Sequence, residues 1–142
     1  MSASLNLNAV TLGVEDIARS AAFYQLLGWT LSARSAPHIA ILTTPPSAVL
    51  ILHEREDLVS SASIQGAPGF GGVVLTMAVA SSEAVHRTLA EAIDSGASIL
   101  RPVTQLGGYG CHAFLADPDG HVWEVIETPG FEVDDAGGLS VP

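Results

Sequence analysis

The chain reads as one pattern written twice, and this duplication constrains its fold more than any other feature. Val10-Thr11-Leu12-Gly13-Val14 returns as Leu75-Thr76-Met77-Ala78-Val79, an offset of 65 residues. Each copy runs into a helix-like stretch that closes on a glycine, Gly28 in the first and Gly96 in the second. Farther along, Ala40-Ile41-Leu42-Thr43-Thr44-Pro45 matches Ala113-Phe114-Leu115-Ala116-Asp117-Pro118, an offset of 73. A unit of this size that recurs once is a duplicated supersecondary module, because a solenoid needs more repeats to bury a continuous core. Two copies imply two equivalent sheets whose free faces look at each other across a concave pocket.

Local patterning gives each copy the same order of elements. Residues 7–14 carry Val10, Leu12 and Val14 on one face, which predicts a strand. Asp16 is placed to cap a helix whose apolar stripe is Ile17, Ala21, Tyr24 and Leu27, and Gly28 stops it. Strands follow at residues 29–33, 38–43 and 48–53, with a turn at Pro45-Pro46-Ser47. The second copy repeats the plan: a strand at 73–79, a helix capped by Ser82 and ended by Gly96, then strands at 99–102, 111–116 and 121–127. Asp117-Pro118-Asp119-Gly120 is a strong turn signal. The expected fold is α+β, two tandem βαβββ modules that form a curved eight-stranded half-barrel sheet with helices outside. It occupies one domain, residues 1–142, with the first module at about 5–55 and a Ser-, Gly- and Pro-rich linker at about 56–72. The second module spans about 73–131, and an acidic tail covers 132–142.

Composition removes whole classes of function. The apolar fraction of 48% supports a real core, and the net charge is −10 with five arginines and no lysine. Nucleic acids and anionic membrane surfaces need basic patches, so neither is an expected partner. No apolar run approaches the roughly 18 residues of a membrane span. The start, Met1-Ser2-Ala3-Ser4-Leu5, lacks the basic and apolar segments of a secretion signal, and a cytoplasmic location is expected. Cys111 is the only cysteine, which excludes an internal disulfide and reads as a small buried hydrophobe.

The phrases at 8–29, "NAVTLGVEDIARSAAFYQLLGW", and at 114–131, "FLADPDGHVWEVIETPGF", resemble the two signature ends of the vicinal oxygen chelate superfamily. This group contains glyoxalase I, extradiol dioxygenases, fosfomycin-resistance transferases and bleomycin-binding proteins. The resemblance runs from about Leu7 to Phe131 and is nearest to the small glyoxalase/bleomycin-resistance-like proteins. It implies a homodimer, and in enzymes of the group a divalent ion chelated by four side chains on the first and last strands of each module. Carried onto this chain, those positions are Ala9, Val74, Ile51 and Glu124. Three of them are alkyl, and an ion needs several nitrogen or oxygen donors. No cofactor is therefore expected. If a divalent metal is bound, Glu124 with His53 would hold it, and His112 would add a third donor if its strand turns inward.

Glu124 is the candidate catalytic residue. Without a metal it is a general base, an acceptor for a ligand, or a carboxylate hydrogen-bonded within the sheet. Candidate ligand contacts are Tyr109 in the glycine loop Gly107–Gly110, His112, His53, Thr11, Thr76 and Met77. His53 reads first as a solvated strand end, where an apolar strand turns charged before Glu54. Trp123 alternates with Glu124 and should face the helices. The leading reading is a small-molecule-binding protein without the full metal site, taking an apolar or carbonyl-containing ligand. Two alternatives stand beside it: a metal-dependent lyase or dioxygenase of the glyoxalase type, and a metal-free isomerase or cyclase with Glu124 as base.

Overall fold

A computed structural model describes residues 7–62, 69–71, 73–107, 110–127 and 132–140. Strand β1 (Ala9–Val14) leads into helix α1 (Ile17–Leu26), then β2 (Thr30–Leu31), β3 (Ile39–Thr44) and β4 (Ala48–Glu54). Helix α2 (Arg55–Ala62) follows. The pattern then returns as β5 (Leu75–Ala78), α3 (Ser82–Asp94), β6 (Ser98–Gln105), β7 (Cys111–Ala116) and β8 (Val122–Glu127). Two short strands, β9 (Glu132–Val133) and β10 (Leu139–Ser140), form a closing hairpin in the segment read as tail.

The duplication holds strand for strand. The first sheet has the order β1-β4-β3-β2 and the second β5-β8-β7-β6, each with one parallel pair, β1–β4 or β5–β8. The eight strands thus form two four-stranded sheets, and the sheet is not closed. Both helices begin on a side-chain cap. Asp16 Oδ1 accepts from Arg19 N at 3.0 Å, and Ser81 Oγ accepts from Ala84 N at 3.1 Å. The second cap is Ser81 rather than the expected Ser82, one residue earlier, because Ser81 is the residue in the extended conformation a cap requires. Gly28 (φ 100°) and Gly96 (φ 113°) end the helices in the left-handed region that glycine adopts without penalty.

Helix α2 occupies part of the segment read as linker. Glu56 and Asp57 in its first turn complement the positive end of the helix. It packs on β1 at Gly13, where an added Cβ would meet Arg55 Cα and Leu58 Cδ2, each at 3.4 Å. Only a hydrogen side chain allows that approach comfortably.

One core serves both sheets. It joins Leu12, Leu42, Leu50 and Leu52 of the first sheet to Leu115, Trp123 and Val125 of the second, with Phe23, Tyr24 and Leu89 from the helices. Trp123 therefore faces the helices, as its alternation with Glu124 predicts.

The turn Asp117-Pro118-Asp119-Gly120 does more than reverse the chain. Asp117 Oδ1 accepts the N–H groups of Asp119 and His121 at 2.9 and 2.8 Å, which shapes the turn itself. Its other oxygen accepts from Tyr24 Oη at 2.6 Å. Asp119 reaches the start of α1, accepting from Glu15 N at 3.0 Å, from Arg19 Nη2 at 2.9 Å and from the Ser20 hydroxyl. His121 Nε2 donates to Gly13 O at 2.8 Å. The turn therefore clasps α1 to the second sheet. The Asp119 side chain is only 6% exposed, whereas Arg19 is 46% exposed, so the ion pair is screened and the bonds from Ser20 and Glu15 N carry the effect. Asp119→Ala should destabilise the protein by about 1–3 kcal/mol, because it strands the Ser20 hydroxyl and the Glu15 N–H. Urea unfolding measures this directly; a change below about 0.5 kcal/mol would contradict the clasp.

Candidate functional site

Each sheet has a second face, opposite the shared core. On the first sheet it carries Thr11, Ile41, Ile51 and His53; on the second it carries His112, Phe114, Glu124 and Ile126. These residues are exposed or half-buried. No hydrogen bond among the described residues links one such face to the other.

The central feature of the second face is a pair. His112 Nδ1 lies 3.0 Å from Glu124 Oε2. The hairpin makes this contact: the turn after β7 sets Ala116 opposite Val122 and Phe114 opposite Glu124, which puts His112 diagonal to Glu124 on the same face. The two side chains are 12% and 22% exposed. The ring of Phe114 meets the imidazole edge-on, with centroids 5.1 Å apart. The other ring nitrogen, Nε2, is buried and has no hydrogen-bond partner among the described residues. When Nδ1 donates its hydrogen to the carboxylate, Nε2 carries the lone pair. The pair then presents one oriented acceptor, or a base, in apolar surroundings. An unpaired polar atom in such a place is costly to hold in the fold.

The other candidate residues have these surroundings. His53 Nδ1 lies 3.2 Å from the carbonyl of its neighbour Glu54, and no contact joins it to Glu124. Thr11 is exposed on the first sheet, in register with Ile51. Thr76 sits in register beside Glu124. Tyr109 lies outside the described residues.

A partly apolar hollow lies away from the polar pair, and neither His112 nor Glu124 lines it. A cavity of about 410 Å³ opens along the seam of β1 and β5, on the side of the shared core. Thr76 and Met77 border it, together with Trp29, Trp123, Thr88 and Glu91. Glu124, His112, His53 and Thr11 do not. Sequence reasoning assigned both tryptophans to the core and passed over Thr88 and Glu91, whose helix gave no polar motif.

The donor set does not fit the chelate that the resemblance implies. Ala9 and Ile51 present alkyl groups from β1 and β4, and Val74 does so just before β5, so Glu124 alone of the four can donate. Among the described residues the one group of three metal-type donors is His38, Glu54 and Asp57, whose ligand atoms lie within 4.8 Å of one another. It belongs to the end of β4 and the start of α2, and His38 is 74% exposed. His38 Nδ1 and Glu54 Oε1, 3.1 Å apart, already satisfy each other there.

Two tandem βαβββ units define a class of α+β proteins built by duplication. The sequence model of the Glyoxalase/Bleomycin resistance protein/Dioxygenase superfamily matches residues 6–125, and the chain belongs to that superfamily. Solved structures agree in fold. A glyoxalase-related enzyme from Fulvimarina pelagi superposes with a TM-score of 0.84 at 26% identity, over 95% of this chain and 96% of that one. A hypothetical protein from S. aureus gives 0.78 at 20% identity, over 88% and 95%. A glyoxalase/bleomycin resistance protein/dioxygenase family enzyme from Burkholderia phytofirmans PsJN gives 0.77 at 23% identity, over 87% and 99%. No functionally curated protein matches the sequence. Among the described residues, no helix is long and apolar enough to cross a membrane.

Proposed function

We propose that this chain is a small-molecule-binding member of the superfamily whose polar anchor is the Glu124–His112 pair, and that it works without the four-ligand divalent centre. One observation carries the reading: the 3.0 Å contact of Nδ1 with the carboxylate, with Nε2 left buried and unpaired. The alkyl side chains at Ala9, Val74 and Ile51 support it, since none can ligate. The expected ligand has an apolar body, to lie on Phe114 and Ile126, and a hydroxyl, enol or carbonyl-activated C–H directed at Nε2.

The same geometry supports proton transfer as a second reading. Glu124 then holds the tautomer and His112, rather than Glu124, takes the proton from a carbon next to a carbonyl. A homodimer fits this proposal, because pairing would cover the apolar residues of the free faces. The residue ranges assigned to the two modules and the linker remain part of the same proposal.

Metal analysis and ring-nitrogen NMR test it together. Purified protein should hold no divalent ion that is lost on Glu124→Ala, and should not turn over the methylglyoxal–glutathione hemithioacetal with added Zn²⁺, Ni²⁺ or Mn²⁺. A panel of aryl α-oxo and α-hydroxy acids should shift the His112 ring signals in the native chain, with affinity about tenfold weaker in Glu124→Gln. About one metal per chain, released by Glu124→Ala and coupled to lyase activity, would overturn the reading.

A further inference from the structure

We propose that the cavity along the β1–β5 seam is a second ligand site, distinct from the Glu124–His112 pair, for a planar aromatic molecule carrying a hydrogen-bond donor. The duplication creates two equivalent junctions between helix and sheet.

At the first junction, α1 meets the turn after β7, and aromatic rings fill it. Tyr24 stacks on Trp29 with centroids 5.1 Å apart and planes 10° from parallel. Trp123 closes on Trp29 at 5.5 Å and on Tyr24 at 5.9 Å. Tyr24 is fully buried.

The second junction sets α3 against the equivalent turn after β3. Adding 68, the spacing of the helix-ending glycines Gly28 and Gly96, maps Tyr24 onto Ala92 and Trp29 onto Ala97. Subtracting 73, the spacing of the later strands, maps Trp123 onto Leu50 and Asp117 onto Thr44. A phenol and two indoles are thus replaced by two methyl groups and an isobutyl group. Ala92 is buried in the core and Ala97 packs against it. Leu50 and Thr44, the counterparts of Trp123 and Asp117, stand on the wall of the cavity.

What bounds the hollow also specifies its occupant. Trp29 and Trp123, which meet edge-to-face at 62° in the first junction, also line this cavity and offer aromatic surface to an entering ring. The Thr44 and Thr88 hydroxyls and the Glu91 carboxylate supply acceptors at the wall. A volume of about 410 Å³ lies within the range of small-molecule sites. Phenols, indoles and arylamines are the chemical class that matches, since they bring a flat apolar face to the indoles and a donor to the carboxylate.

The probes are p-cresol and 3-methylindole, the side-chain fragments that the second junction is missing. Each should bind with a Kd of about 1 mM or tighter, in keeping with ligands of so few atoms. Binding should move backbone amide signals of Leu50, Met77 and Thr88 and change tryptophan fluorescence. Thr88→Phe fills the cavity from its wall and should weaken p-cresol binding at least tenfold while the thermal midpoint holds or rises. Thr44→Phe does the same from the opposite wall and serves if the first variant fails to fold. No shift up to about 10 mM of either probe, unchanged binding in both folded variants, or shifts confined to His112 and Glu124 would each overturn the proposal. The last outcome would leave the Glu124–His112 reading intact, and a silent Glu124–His112 pair would leave this one intact.

Discussion

Trp123→Ala should unfold at a urea concentration that reports a loss of about 3–5 kcal/mol, the cost of removing a buried aromatic ring. Trp123 is 5% exposed and belongs to the core shared by both sheets. Its ring touches the rings of Tyr24 and Trp29, and its Nε1–H donates to Tyr24 Oη at 3.1 Å. Truncation therefore removes apolar contact and a buried hydrogen bond together. Relaxation cannot offset much of this, because the ring already borders the 410 Å³ cavity and its loss enlarges that hollow. A chain of this size should lose roughly 2–4 °C of thermal midpoint per kcal/mol, so a fall of about 6–20 °C is expected. The urea slope should be unchanged. A loss below about 1 kcal/mol would mean that the two sheets do not share a core.

Tyr24→Phe should reshape the alkaline limb of the stability curve. The Tyr24 hydroxyl is held far above the usual phenol range, first by burial and then by the neighbouring Asp117 carboxylate, which also accepts its hydrogen. The sign follows from proton counts. Below about pH 10 folded and unfolded chains both keep this proton, and the group adds no pH dependence. Above it the unfolded chain releases the proton and the folded chain retains it. Stability contributed by the neutral hydroxyl is then lost as pH rises, by about 1.4 kcal/mol per pH unit. Tyr24→Phe lacks this component, so its curve should be shallower above pH 10 by the slope of one proton. Near neutral pH the variant should be weaker than the native chain by about 1–3 kcal/mol, because Asp117 Oδ2 and Trp123 Nε1 lose their partner. Urea midpoints between about pH 8 and 11 measure both effects. Parallel curves would show that the phenol ionises freely in the folded state.

Both predictions come from the same asymmetry. The two copies share a topology but divide the labour, one junction packed with rings and clasped by Asp117 and Asp119, the other small and open. Duplication supplies the frame, and side-chain volume decides whether a given junction becomes core or cavity.

Much of this was legible from residue order. Alternation of apolar residues marked the strands, Asp16 and the two glycines marked helix ends, and the repeat offsets set the strand order, because all of these depend on neighbours a few residues away. The Glu124–His112 pair was also within reach: a four-residue turn fixes the hairpin register, and register alone brings the two onto one face as diagonal neighbours. That Glu124 orients a histidine instead of acting alone follows from this. Which faces meet was decided only in three dimensions. Both faces of the first sheet are apolar, with Leu42 and Leu52 on one side and Ile41 and Ile51 on the other, so periodicity there could not say which side is the core. The opening of the hollow beside Trp29 and Trp123 depends on that choice of packing. Local sequence restricts the conformation of each strand and helix; the free energy that selects among packings comes from contacts between residues about a hundred positions apart, such as Tyr24 with Trp123.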